Sequence, residues 1–305
     1  MKIFNRVYKF KINKKIVLLI TLILLYTLSK LFITNHFYYK KVELNNAKKN
    51  YLDHDISKIE NVIFVNPKDA YEQIKNSGYI NQFNKKDMEV RKCSDIESCE
   101  VLYENNLVEF SVDNKIELKR LIKLCNEKLK KYKSLYNIPW KLCKITTKLE
   151  DGMPHTHTDI IFLSDNFFRK NNDNGKIITL IHEKLHVYQR IYKNKTSKLY
   201  NNFNFSKVPK KNINLRRTNP DLDSFDYNYK DVLIYSEYQD DAKTLSDVDT
   251  KFITIETDKN KEIKEIQNLA KEGYQNEHPN EIFASMISDK IVNNKLEKVF
   301  VNYIN

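Results

Sequence analysis

Two histidines four positions apart, His182 and His186, stand inside a stretch from Lys176 to Tyr192 whose apolar residues recur at helical spacing. Ile177, Ile181, Leu185, Tyr188 and Tyr192 make one face that a helix would bury, while His182, His186 and Gln189 fall on another. Side chains at i and i+4 project from the same side of a helix, so both imidazoles can reach one tetrahedral metal ion. This restricts the fold: one flank of the helix must enter a core while the histidine flank opens on a cleft. Asp173, Asn174 and Gly175 punctuate the chain just before it and can cap the helix. A strand-like run over 156–164 comes earlier still, so the order is strand, turn, helix.

Glu183 lies three residues before His186 and leans toward the same cleft, where a carboxylate can take a proton from an attacking water and pass it to a leaving amine. The short motif also occurs by chance in ordinary helices. A zinc ion held by two histidines needs a third protein ligand and an open position. Glu281 is the leading choice: Pro279 suits the first position of a helix, and Ile282, Phe283 and Met286 can pack inward. Glu237 and His278 are the rivals, and the alternative reading of Glu281 is a charge favoured at a helix N-terminus.

His182-Glu183-x-x-His186 followed by a helical glutamate resembles the gluzincin metallopeptidases. The stretch Tyr274-x6-Glu281-Ile282-Phe283-Ala284 is similar to the third-ligand helix of the anthrax lethal factor type. The resemblance covers about 160–192 and 274–290. It implies an α+β, zincin-like fold with Zn2+ on His182, His186 and Glu281. It also implies Glu183 as general base and acid, Tyr274 as a donor to the oxyanion, and a peptide or protein substrate. Two departures stand out. His186 to Glu281 spans 281 − 186 = 95 residues, about twice what that type leads one to expect, and Ser285 occupies the place of a usual carboxylate one turn after the ligand. His155 and His157 alternate at the start of the strand before the motif helix; they are candidate substrate contacts, with solvent-facing strand positions as the alternative.

The N-terminus carries a different signal. Lys2, Arg6, Lys9, Lys11, Lys14 and Lys15 precede an apolar run from Ile16 to Thr34 that only Lys30 interrupts. As a helix at about 1.5 Å per residue it is about 28 Å long, enough to cross a bilayer once. Fewer basic residues follow it, so the positive-inside rule leaves residues 1–15 in the cytosol and the rest outside. A signal peptide cleaved near Thr27 and Ser29 is the alternative.

The chain is expected to comprise a signal anchor at 16–34, a stalk at 35–60, a membrane-proximal region at 61–113, and a zincin-like domain at 114–305 with an insertion at 193–260. That insertion holds two Asn-x-Ser/Thr glycan acceptors, Asn194 and Asn204, and strand-like pieces with few helix signals. Helices are expected at about 115–136, 176–192, 259–272 and 279–293, and strands at about 138–146 and 156–164. In an oxidising compartment the four cysteines would pair as Cys93–Cys99 and Cys125–Cys143; free buried thiols are the alternative.

The net charge of +12 comes from lysines scattered along the chain among 40 acids with no nucleic-acid motif, so a solvated surface is expected and no nucleic-acid partner. The abundance of Lys, Asn, Ile and Tyr fits an AT-rich genome such as that of a large DNA virus, which makes a viral or virion membrane one expected location. The rival functions are a binding or structural membrane protein that keeps the fold without turnover, and a zinc hydrolase of a non-peptide amide.

Overall fold

A computed structural model of the chain describes residues 61–305, apart from 171, 212–213, 255–263, 265, 267 and 269–275. The basic N-terminus, the apolar run at 16–34, the stalk, most of the helix expected at 259–272, and Tyr274 lie outside the described residues. Among the described residues no helix is long and apolar enough to cross a membrane. The architecture is α+β.

The first sheet contains β1 (Val62–Phe64), β2 (Leu107–Val108), β3 (Trp140–Ile145), β4 (His155–His157) and β5 (Ile160–Leu163). Its order is β1-β3-β5-β4, with β1 and β5 parallel to β3, β4 antiparallel to β5, and β2 antiparallel to the far end of β3. Every residue of β5 is buried, as befits a short apolar strand covered on both faces.

The pleat of β3 explains how the layers form. Trp140 and Leu142 join a core with Leu121, Ile122 and Cys125 of the helix Val112–Leu129, and with Ile177, Leu180, Ile181 and Leu185 of the motif helix, Asp173–Ile191. Cys143 and Ile145 join a second core under the helices Pro67–Asn76 and Ile96–Asn106, through Tyr71, Ile74, Cys99 and Tyr103. The segment expected as a separate membrane-proximal region thus supplies a strand of the sheet and the layer over its other face. The described residues all belong to one unit, with no boundary at 113–114.

The same alternation corrects one cysteine pairing. Cys93 and Cys99 are joined in a disulfide as expected, but Cys125 and Cys143 are free and buried. They belong to the two cores on opposite faces of the sheet, so their side chains cannot meet. Burial pushes each thiol up to about 12, which leaves both unreactive.

Two further expectations change. The run at 156–164 is a hairpin rather than one strand: Thr158 adopts a left-handed conformation (φ 53°) and folds His155–His157 back on Ile160–Leu163. The insertion begins with a helix, Lys193–Asn202, where Thr196, Leu199 and Tyr200 bury one stripe despite an otherwise polar composition. It then forms an antiparallel sheet of β6 (Phe205–Pro209), β7 (Phe225–Tyr229), β8 (Val232–Tyr238) and β9 (Val248–Thr254), in that order. The helix Pro279–Val292 packs against the motif helix and brings the chain back to the first core.

Candidate metal centre

The motif helix is capped by Asn172, whose side chain accepts from the amide of Asn174, slightly earlier than the expected cap. Its buried stripe of Ile177, Leu180, Ile181, Leu185 and Tyr188 fixes the rotation of the helix, and the opposite flank turns His182 and His186 toward the helix Pro279–Val292. That second helix begins with Pro279, and His278 caps it by accepting from the amide of Asn280 at 3.1 Å. Capping is therefore done by His278, and the Glu281 carboxylate is directed elsewhere. Ile282, Phe283, Ala284 and Ile287 hold this helix in the core.

Three ligand-type atoms converge between the helices. His182 Nε2 and His186 Nε2 are 2.9 Å apart, and Glu281 Oε2 lies 3.3 Å from the first and 3.4 Å from the second. For zinc–nitrogen and zinc–oxygen bonds of about 2.0–2.1 Å, the edge of a tetrahedron is about 3.3 Å, so the triangle has the dimensions of one tetrahedral face. Glu281 Oε2 is buried and makes no hydrogen bond, an arrangement that a cation would satisfy. The donor set of two imidazoles and one carboxylate fits zinc.

The far side of each ligand is held. His186 Nδ1 donates to Gln189 Oε1 at 2.9 Å, and the Gln189 amide in turn donates to the Asn280 carbonyl at 2.9 Å. This fixes the ring and leaves Nε2 facing the site. Glu281 Oε1 accepts from Asn219 Nδ2 at 3.2 Å, which turns Oε2 toward the histidines. His182 Nδ1 has Ser285 Oγ at 3.4 Å, a longer and weaker tether in the place where the resemblance leads one to expect a carboxylate.

Charge in the site follows from burial and from these neighbours. Burial opposes ionisation of Glu281, but the imidazoles of His186 and His182 outweigh it and hold the carboxyl well below its usual range. Burial likewise pushes His186 down, yet Glu281 and Asp221 override it and raise the ring to about 9. Both shifts have one cause: the carboxylates favour positive charge at this point of the site. Glu183 moves the other way: burial first, then the Asp221 carboxylate, raise it well above the ordinary glutamate value. Its Oε2 is buried with no protein partner, and ligand-type atoms of Glu183, His186 and Asp221 lie within 4.8 Å of one another.

A cleft of about 460 Å³ opens on the triad, lined by His182, Glu183 and Glu281 and by His155, Asp221 and Asn219. His155 is buried, so the solvent-facing alternative for this residue does not hold; its Nδ1 donates to the Met153 carbonyl at 2.9 Å. His157 is equally buried but does not line this cleft. It packs edge-on to Tyr79, ring centroids 4.6 Å apart, and faces a different cavity. Glu237 is not brought to the triad: it sits on β8 opposite Asp249. His278 faces Tyr227 and Asp223 instead.

Two residues of the site gave no sign in the sequence. Asn219 and Asp221 come from Thr218-Asn219-Pro220-Asp221 within the insertion, where Asn-Pro marks only a turn. In the fold, Asp221 Oδ1 accepts from the amide and hydroxyl of Thr156 at 2.8 and 2.6 Å, which ties the insertion to the edge strand β4 beside Glu183.

Comparison of the chain with family models, with curated proteins and with solved structures yields no match in any of the three.

Proposed function

We propose that the chain is a membrane-anchored zinc metallopeptidase of the zincin type. The convergence of His182 Nε2, His186 Nε2 and Glu281 Oε2 on one tetrahedral face, with Glu183 beside it in an open cleft, carries this reading. His182, His186 and Glu281 would hold the metal. Zinc bound there supplies Lewis acidity that makes a water nucleophilic near neutral pH and polarises a scissile carbonyl.

The remaining chemistry belongs to the chain. Glu183 is buried, partly unpartnered and raised in proton affinity, which suits a group that accepts a proton and returns it to the leaving amine. Asp221 raises that affinity further, and Arg190, 3.7 Å from Asp221, moderates it. His155 can contact substrate from the cleft wall, and Tyr274, proposed on the resemblance alone, would donate to the developing oxyanion.

The anchor is residues 16–34, with the folded unit outside the cytosol. The Cys93–Cys99 disulfide supports an oxidising compartment, and both glycan acceptors, Asn194 and Asn204, are exposed. The test is zinc content and cleavage of a peptide library by the purified full-length chain, beside Glu183→Gln. Retained zinc with hydrolysis abolished in the variant is the expected outcome. Unchanged turnover would remove Glu183 from the mechanism, and absence of zinc from the wild type would remove the metal.

A further inference from the structure

Behind the metal cleft lies a second cavity of about 390 Å³. Arg217, Thr218, Asn219 and Pro220 line both spaces and form the wall between them. Six basic side chains border this cavity (Arg190, Lys193, Lys207, Lys210, Arg216 and Arg217) against three carboxylates. The carboxylates are already engaged: Asp226 with Arg216 Nη1, Glu277 with Arg217 and Ser236, and Asp223 with the Tyr227 hydroxyl at 2.8 Å.

Arg216 is the residue that asks for a ligand. It is 6% exposed, its guanidinium carbon sits 4.7 Å over the Tyr235 ring, and only Nη1 has an acidic partner. Nε and Nη2, the two donors along one edge of the planar group, are buried without any hydrogen-bond partner; Arg217 Nε is in the same condition. An arginine edge of this kind matches two oxygens of a carboxylate or phosphate at once. Leaving charged donors buried and unmatched is costly, so native structures seldom leave them without an occupant.

We propose that this cavity binds a small molecule through an oxyanion, a phosphate or carboxylate group seated on the Nε/Nη2 edge of Arg216 with Arg217 beside it. Its volume falls in the range of small-molecule sites, roughly 300–1,000 Å³, so the group can be part of a larger ligand. The ligand would rest on the segment that presents Asn219 to Glu281, next to the metal centre but not on it. The site stands apart from the peptidase reading, since none of its donors is a proposed zinc ligand.

The full-length protein, zinc-loaded and zinc-free, is titrated by calorimetry with inorganic phosphate and separately with acetate, at ionic strength fixed with chloride. Saturable binding of one anion per chain is expected, the same with and without zinc, and the preferred anion identifies the oxyanion. Arg216→Gln is expected to weaken it about tenfold or more, and Arg216→Lys, which keeps the charge but loses the fork, to weaken it too. Zinc content stays unchanged in both. No saturable binding of either anion to the wild type, binding only with zinc present, or full affinity in Arg216→Gln would each overturn the proposal. Should Arg216→Gln not fold, Arg216→Lys and the wild-type titrations decide it.

Discussion

Replacing Glu281 by alanine separates ligand from scaffold, and its magnitude can be set against two neighbours. Apparent zinc free energies in small four-ligand sites run to roughly 10–16 kcal/mol, so one ligand accounts for roughly 2.5–4 kcal/mol, or about two to three decades in affinity. Glu281→Ala should therefore weaken zinc by about 100- to 1000-fold. Asn219→Ala and Gln189→Leu leave all three ligands in place but remove the hydrogen bonds behind Glu281 and His186, together with those to Glu277, Asp221 and Asn280, and such outer partners cost roughly 10- to 100-fold. Competition of the purified protein against a chelator of known zinc affinity ranks the three. Glu237→Ala, on β8 and away from the triad, serves as the neutral reference. If Glu281→Ala binds zinc like the wild type, or more tightly than Asn219→Ala, the tetrahedral face described here is not a metal site.

Metal-free protein should lose stability as pH rises. His186 is raised from 6.5 to about 9 in the fold, so its protonated form contributes fully below about pH 6.5 and the contribution, about 3 kcal/mol, is lost as pH climbs through 9. Thermal unfolding of chelated protein between pH 6 and 9.5 checks this, and a flat profile refutes it. Arg91→Ala should destabilise by roughly 3–5 kcal/mol in urea melts, because it strands buried Asp87 and Glu150 without their shared cation. Breaking the short Cys93–Cys99 loop with paired serines should cost about 2 kcal/mol by the same assay, and an unchanged midpoint would mean that the bond does not constrain the unfolded chain. In sealed membranes, protease on the cytosolic side should trim only the first fifteen or so residues, and digestion of 61–305 would reverse the proposed orientation.

The motif helix was legible because a 3.6-residue apolar stripe and an i, i+4 histidine pair agree on its rotation, and Pro279 marked the second helix equally well. The hairpin at 155–163 was not, since its turn uses Thr158 in a left-handed conformation with no glycine to announce it. Helix Lys193–Asn202 was hidden because three buried side chains in a polar segment make too thin a stripe. Lys184 shows the limit from another side. Its spacing of seven from Ile177 and three from Ile181 puts it on the apolar face, a place where a lysine gives no core signal, yet it is buried with its ammonium 4.0 Å over the Trp140 ring, and burial pushes it down to about 7. Asn219 and Asp221 come from a loop whose destination only the folded chain defines.

The spacing of 95 residues between His186 and Glu281 has a consequence for assembly. The two helices that face each other across the triad enclose the whole insertion, so a bound ion would act as a clip closing a very long loop. Loop-closure entropy scales as about (3/2)RT ln n, which for this loop is about 4 kcal/mol plus a constant, well above what a clip across a short turn removes. Metal uptake would then be worth most to the part of the molecule that makes the most distant contacts and, on topological grounds, assembles last. The seam between the motif helix and Pro279–Val292 is where an ion-depleted chain should open first, and where a protease or a quality-control factor would find it.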